Sequence, residues 1–378
     1  MKTADFIVIG AGMAGASIAY ELSSHGSVIL LEREAQPGYH TTGRSAALFE
    51  EAYGNEIVRR LTRASRKFYF EPPDGFAGHR LLSPRGTLFI ADEAGLDGLS
   101  ALCDDVKVLT PEIEWIGPAD AIGRVEVLRA DWIAGAIHDP LAQDIDVHAL
   151  HLGYLNGLKQ RGGTLVCDAG VRALTKRAEG WEIETAAGTF ASGILVNAAG
   201  AWADEIAALA NLKQIGLVPK RRTAITFDPP QDTAIDQWPM VCDYAERFYF
   251  KPDAGRIFAS PADETPSPPC DAQPEELDIA IAIDRLEQAT TLSPKRLTSK
   301  WAGLRSFVAD KSPVCGFAVD DDRFFWLAGQ GGYGIQMAPA LARAACALVL
   351  QAPLPEDISG LGITVEAMAP SRPGLKQD

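Results

Sequence analysis

Phe6-Ile7-Val8-Ile9-Gly10-Ala11-Gly12-Met13-Ala14-Gly15 is the stretch that decides the fold. An apolar run meets three glycines, and an apolar helical pattern follows through Ile18, Ala19 and Leu22. A second run, Val28-Ile29-Leu30-Leu31, ends at Glu32, twenty residues beyond Gly12. The order is strand, glycine turn, helix, strand, acid. Gly10 permits a tight turn, Gly12 lets the backbone approach a pyrophosphate, and Gly15 lets helix and strand pack closely. The helix start presents unpaired N–H groups to the phosphates, and Glu32 can accept from a ribose hydroxyl. As a bare string GxGxxG is weak. Framed by both strands, the helix and the acid, it predicts a dinucleotide-binding βαβ unit.

The rest of the chain fits an enzyme of two domains sharing a cofactor, since 378 residues are too many for one simple core. A formal charge of −15 argues against binding a phosphate backbone. Lys220-Arg221-Arg222 is the one dense basic cluster, and it lies within a strand-like segment. The six cysteines show no CxxC and no metal spacing, so they read as reduced thiols with no metal site. The first strand begins too early for a signal peptide, and the apolar stretch Ala344 to Leu350 is too short to span a bilayer. A cytoplasmic protein is expected, with peripheral membrane contact still compatible.

Strand- and helix-like segments alternate up to about Glu51, and a helix is expected from Asn55 to Phe70. From Leu81 to about Asp139 the pattern is one of short β-like runs. Asp146 reads as the N-cap of a helix closed by Gly162-Gly163. Gly193-Ile-Leu-Val-Asn-Ala-Ala-Gly200 repeats the opening logic of a buried strand meeting a small-residue turn. Strands follow from Leu217 to Phe258, then a helix from Glu275 to Thr290. The strand Phe324-Phe-Trp-Leu-Ala328 leads into Gly331-Gly-Tyr-Gly334, and a last helix is expected from Ile335 to Leu350.

With these strings in order the chain resembles the superfamily of FAD-dependent D-amino-acid oxidases and dehydrogenases, in the branch with glycine oxidase and sarcosine oxidase. Within that branch it is most similar to the bacterial D-arginine dehydrogenases. The likeness rests on Ile9 to Gly15, Glu32 to Gly38, Thr42-Gly-Arg-Ser-Ala-Ala47, Val196 to Trp202, Lys220-Arg-Arg222, Phe248-Tyr249, Trp301 to Arg305 and Gln330 to Gln336. It implies an α/β plus α+β fold, a Rossmann-like FAD-binding domain interleaved with a sheet-based substrate domain. The FAD domain would comprise residues 1–75, 145–215 and 305–378, and the substrate domain residues 76–144 and 216–304.

The resemblance implies non-covalent FAD and oxidative deamination of D-amino acids to 2-oxo acids and ammonia, by hydride transfer from Cα to flavin N5. Gly10, Gly12, Met13, Ala14 and Gly15 would cradle the pyrophosphate, with Glu32, Arg33 and Val171 on the adenosine side. Thr42, Gly43, Arg44, Ser45 and Ala46 would run along the isoalloxazine, joined by Ala199, Gly200, Trp202 and Gly303. Gly331, Gly332, Tyr333, Gly334, Ile335 and Gln336 would place a helix start beside the flavin pyrimidine, where it stabilises negative charge. Arg222 and Arg305 match a clamp for the substrate carboxylate, which the planar guanidinium suits. Tyr249 adds a hydroxyl to the clamp, and Tyr53 sits on a loop that closes over the substrate. No histidine is an evident base, so none is assigned.

The side-chain pocket would be lined by Leu48, Thr87, Met240, Cys242 and Gly332. Where D-arginine dehydrogenases carry an acid and a histidine, this chain has Thr87 and Leu48. Neutral, largely apolar side chains are therefore expected, unless Asp243 swings in to restore a charge. Oxidation of a secondary amine (an N-alkyl amino acid, opine or imino acid) is the alternative. A nicotinamide-dependent dehydrogenase or a non-enzymatic flavoprotein explains fewer of the residues. The electron acceptor, whether a quinone, a dye-like acceptor or O2, is not readable.

Overall fold

A computed structural model of the protein describes residues 1–375. Its first sheet is centred on the strand Lys2–Ile9, which runs parallel to Val28–Leu31 on one side and to Gly188–Asn197 on the other. Thr164–Val166 lies parallel beyond Val28–Leu31, and Asp321–Ala328 lies parallel beside the end of Gly188–Asn197. The start of Gly188–Asn197 instead pairs antiparallel with Gly180–Thr185, which continues to Val171–Arg177. Phe6 to Ile9 and Val28 to Leu31 are buried throughout because this sheet is covered on both faces. Phe6 and Val8 face the helices Met13–Leu22 and Ala338–Val349. Ile7 and Ile9 face Trp181, Phe324 and the helix Ala203–Leu209.

The second sheet has nine strands, with Tyr249–Asp253 and Met240–Asp243 near its middle. One face is apolar: Leu88, Ile90, Ile225, Val241, Phe250 and Ile257 pack beneath the helices Pro118–Arg124 and Glu276–Ala289. Cross-strand register fixes what the other face carries. Asp139 lies opposite Thr87, Thr87 opposite Met240, Cys242 opposite Tyr249, and Lys251 opposite Phe258. Arg222 lies opposite Gly303, and Arg305 opposite Lys220. Directly opposed residues and residues two apart point the same way. Asp139, Thr87, Met240, Cys242, Tyr249, Arg222 and Arg305 therefore share one face.

Several sequence expectations are corrected. The stretch read as short β-runs also holds two helices, Leu96–Lys107 and Pro118–Arg124. A cut at residue 305 falls inside the strand Ser299–Phe307, which stays paired to Val218–Phe227 as far as Phe307. A small sheet of Leu48–Phe49, Leu82–Pro84 and Gln143–Ile145 links segments that the other cuts would separate. The helix expected from Ile335 begins at Ala338, not in the glycine cluster, and a short helix, Glu356–Ser359, follows it. Gly331 takes φ +54°, and 331–337 forms turns closed by Tyr333 N–H to Gln330 O and Ala338 N–H to Ile335 O. Pro339 marks the true first turn, where a missing N–H is harmless.

Candidate active site and cofactor cleft

A cavity of about 810 Å³ runs between the glycine turn of the first sheet and the polar face of the second. At one end Glu32 and Arg33 meet Asp168 to Arg172, with Val171 among them. Glu32 is held by two backbone donors, Ala11 N–H at 2.8 Å and Glu34 N–H at 3.0 Å. Arg33 lies over the Trp202 ring at 4.7 Å, and the His40 ring packs on the same indole at 4.7 Å. This end is flat-walled and suits an adenosine group.

Gly10, Gly12, Met13 and Ala14 line the middle. Thr42 Oγ1 accepts from Met13 N–H at 2.9 Å and ties this helix start to the loop opposite. Gly15 is a packing residue behind the wall, since a Cβ there would lie 1.7 Å from the Gly10 carbonyl oxygen. Gly43 plays a similar part against the Gly38 carbonyl, at 2.7 Å. Arg44, Ser45 and Ala46 reach the cavity, as do Ala199, Gly200 and Gly303. The Arg44 guanidinium is nevertheless committed to Asp271 and to the Ala272 and Ala302 carbonyls, so it braces the wall rather than offering a free charge. The length and continuity of the cleft fit FAD.

At the far end lie Arg222, Tyr249, Arg305, Gly331, Gly332, Gly334 and Ile335. Arg305 donates to the Tyr53 hydroxyl at 3.2 Å and to the Tyr249 hydroxyl at 3.3 Å. Among the described residues no carboxylate comes within ion-pair distance of it. Arg222 is the more deeply buried of the two, but donates to the Asp263 carbonyl at 2.9 Å and reaches Glu264 at 3.5 Å. Arg305 is thus the cation still lacking an anion. Gly332 makes room for it, because a Cβ there would sit 2.7 Å from its Nη1. Burial pushes the Tyr53 hydroxyl up, so it stays a neutral partner in this contact. No residue here is placed as a general base.

Tyr333 and Gln336, assigned to the cofactor by sequence, lie outside the cavity lining. The Tyr333 ring packs on Tyr53 at 5.0 Å, and Gln336 accepts from Glu50 N–H at 3.4 Å. Both position the closing segment. Leu48, Tyr53, Thr87, Met240 and Cys242 also lie beyond the lining. The basis for expecting an apolar pocket does not hold. Thr87 Oγ1 donates to the carboxylate of Glu50 at 3.1 Å, so an acid does enter from the chain segment opposite. Sequence reasoning missed Glu50, since nothing local links it to Thr87. Asp243 is not available, being fully buried and bound to Arg247 at 2.6 and 2.9 Å.

Burial, and then the neighbouring Asp139, push the Glu50 carboxyl well above its usual range. Burial first of all raises Asp139 to about 6, against an ordinary 3.8. A carboxyl that keeps its proton longer when folded supports stability at low pH and loses that support as pH rises through its folded value. Asp139→Asn should therefore gain Tm relative to the wild type as pH rises from about 4 to about 6. A Tm difference that is flat across that window would contradict the assignment.

All six cysteines are free, and none falls in the strand Ser299–Phe307 beside the clamp. Cys315, the next cysteine along the chain, is fully buried, and burial pushes its thiol up, away from the reactive thiolate. Acid precipitation should leave the yellow colour in the supernatant; a yellow pellet would reveal a covalent link. Among the described residues no group of His, Cys, Asp and Glu could hold a metal, and no helix is long and apolar enough to cross a membrane.

The family described as DAO, FAD dependent oxidoreductase, matches residues 5–348. Glycine oxidase of Bacillus licheniformis is 25% identical over 374 residues, covering 93% of this chain and 95% of its own. Mitochondrial dimethylglycine dehydrogenase of Rattus norvegicus is 24% identical over 273 residues, 68% of this chain but 31% of its own length. The chain thus spans about a third of that relative. The solved glycine oxidase from Geobacillus kaustophilus shares the fold, with a TM-score of 0.82 at 19% identity over 97% of this chain and 99% of the other.

Proposed function

This chain belongs to the DAO family of FAD-dependent oxidoreductases, and we propose that it oxidises a D-amino acid at its amine-bearing carbon. The imine formed would be hydrolysed by water to a 2-oxo acid and ammonia. FAD, when bound, supplies the hydride acceptor for this reaction. The single observation that supports an amino acid is Arg305, a guanidinium between two tyrosine hydroxyls with no carboxylate of its own. A half-buried cation in that state favours an anionic ligand, and its planar fork suits a carboxylate. Tyr249 and Arg222 would orient the same group from other strands of the same sheet, fixing Cα at the end of the cleft. Burial keeps Tyr53 neutral, so it can close over the substrate without repelling a carboxylate. The D configuration rests on the likeness of this Arg-Tyr-Arg set to that of D-amino-acid dehydrogenases.

A second reading is oxidation of an N-alkyl amino acid, which a relative named dimethylglycine dehydrogenase supports. The same clamp would serve either substrate. Enantiomer pairs and their N-methyl analogues, mixed anaerobically with the protein, separate the two readings through loss of flavin absorbance. The D-enantiomer with a primary amine should bleach the flavin fastest. Faster bleaching by an N-methyl compound would shift the assignment to the second reading.

A further inference from the structure

The cavity end beside Arg305 carries backbone donors that nothing in the protein satisfies. Gly332, Gly334 and Ile335 line it, and among the described residues their N–H groups meet no acceptor. Their neighbours are spent within the protein: Gly331 N–H on the Ser306 carbonyl, Tyr333 N–H on Gln330, and Met337 N–H on Tyr333. Unpaired backbone donors beside a cavity favour a ligand that accepts hydrogen bonds. With the adenosine group at the Glu32 end, the flavin ring of bound FAD reaches this one. Its pyrimidine carbonyls accept hydrogen bonds and gain negative charge on reduction.

These donors stand on a run of turns, so no regular ladder of hydrogen bonds fixes them. Support comes from the helix Glu56–Phe70, which does not line the cavity. Tyr69, fully buried near its end, donates its hydroxyl to the Ile335 carbonyl. That carbonyl also accepts from Ala338 N–H at 3.1 Å. One turn earlier, Ser65 Oγ accepts from Ala340 N–H at 3.0 Å. The Tyr69 ring packs on Phe49 at 5.2 Å and shares a buried cluster with Met13, Ile335 and Ala338. Burial pushes its hydroxyl well above the usual range, so it stays a neutral donor.

We propose that Tyr69 is a positioning residue for the cofactor: its hydroxyl pins the Ile335 carbonyl, so that the Gly334 and Ile335 N–H groups stay presented to the flavin ring and favour its reduced, negatively charged form. Donors held in place beforehand need no reorganisation when the charge appears. Without the hydroxyl, Ile335 would keep Ala338 N–H as its partner. No buried acceptor would be orphaned and the fold should persist, but the turn would lose its one side-chain anchor at this carbonyl.

Tyr69→Phe keeps the ring and removes only the hydroxyl. Holoenzyme of wild type, Tyr69→Phe and Ser65→Ala is reduced anaerobically by dithionite beside a reference dye, and the midpoint potential is read from the two absorbances. No amine substrate enters, so the result stands apart from the choice of substrate. Tyr69→Phe should shift the two-electron equilibrium about three- to tenfold towards oxidised flavin, tenfold being about 30 mV. Ser65→Ala breaks a neighbouring contact of the same helix without touching Ile335. It should lower Tm and leave the equilibrium within about twofold of wild type. An unchanged potential in Tyr69→Phe, an equal shift in both variants, or a Tyr69→Phe protein that loads no FAD would each overturn the proposal, because the hydroxyl would then serve packing alone.

Discussion

Arg305→Ala is expected to keep the bound-flavin spectrum while losing kcat/KM by roughly 30- to 4,000-fold, the range of about 2–5 kcal/mol for removing one partner of a buried charge pair. The reason is specific to this guanidinium. Its contacts are two neutral hydroxyls, so the substrate carboxylate would be its first full counter-charge. Arg222→Ala should cost less, because Arg222 already holds the Asp263 carbonyl and approaches Glu264. Arg305→Lys should recover only part of the loss, since an ammonium cannot make the bidentate contact. Steady-state kinetics on one D-amino acid, with flavin content matched among variants, reads all three. Near-normal turnover by Arg305→Ala would remove the clamp.

Gly10→Ala should abolish FAD loading. Gly10 stands at φ +97°, where an L side chain is strained by about 1–3 kcal/mol. Its Cβ would also lie 2.5 Å from the Ala198 carbonyl oxygen, backbone at the end of a central strand that cannot easily yield. Relief would have to come from the turn itself, which fixes the helix start Met13–Leu22 that faces the cavity. The variant should purify colourless, and added FAD should not raise its Tm. Gly123→Ala is the control: that glycine is helical with open space around it, so the protein should load FAD normally. A yellow Gly10→Ala protein would separate the turn from cofactor binding.

What the sequence made legible was local. The glycine turn, both flanking strands and Glu32 stand within the first 32 residues, and the structure closes them with bonds inside that segment such as Ala11 N–H to Glu32. Asp146 was readable as an N-cap because its partner, Ala149 N–H, is three residues away. The helix Leu96–Lys107 could have been found from Leu99, Cys103 and Val106, whose spacing is helical, but the β-like runs around it masked the signal. The start at Ala338 was available from Pro339. Glu50 was not readable. Its contact with Thr87 depends on a tertiary docking of the segment that follows Leu48–Phe49 onto the second sheet, and no spacing in the chain encodes that. The same holds for Arg44, whose partners Asp271, Ala272 and Ala302 lie on distant parts of the chain.

The central claim is that the end of the cleft is built to present an amino-acid carboxylate to Arg305 and so hold the amine-bearing carbon over the cofactor. The most direct measurement is anaerobic reduction of the holoenzyme by a D-amino acid and by the corresponding amine lacking the carboxylate, compared at equal concentration. The D-amino acid should bleach the flavin and yield the 2-oxo acid, and the decarboxylated amine should leave the spectrum oxidised. Equal bleaching by both would contradict the account, because it would mean that Arg305 does not select the substrate.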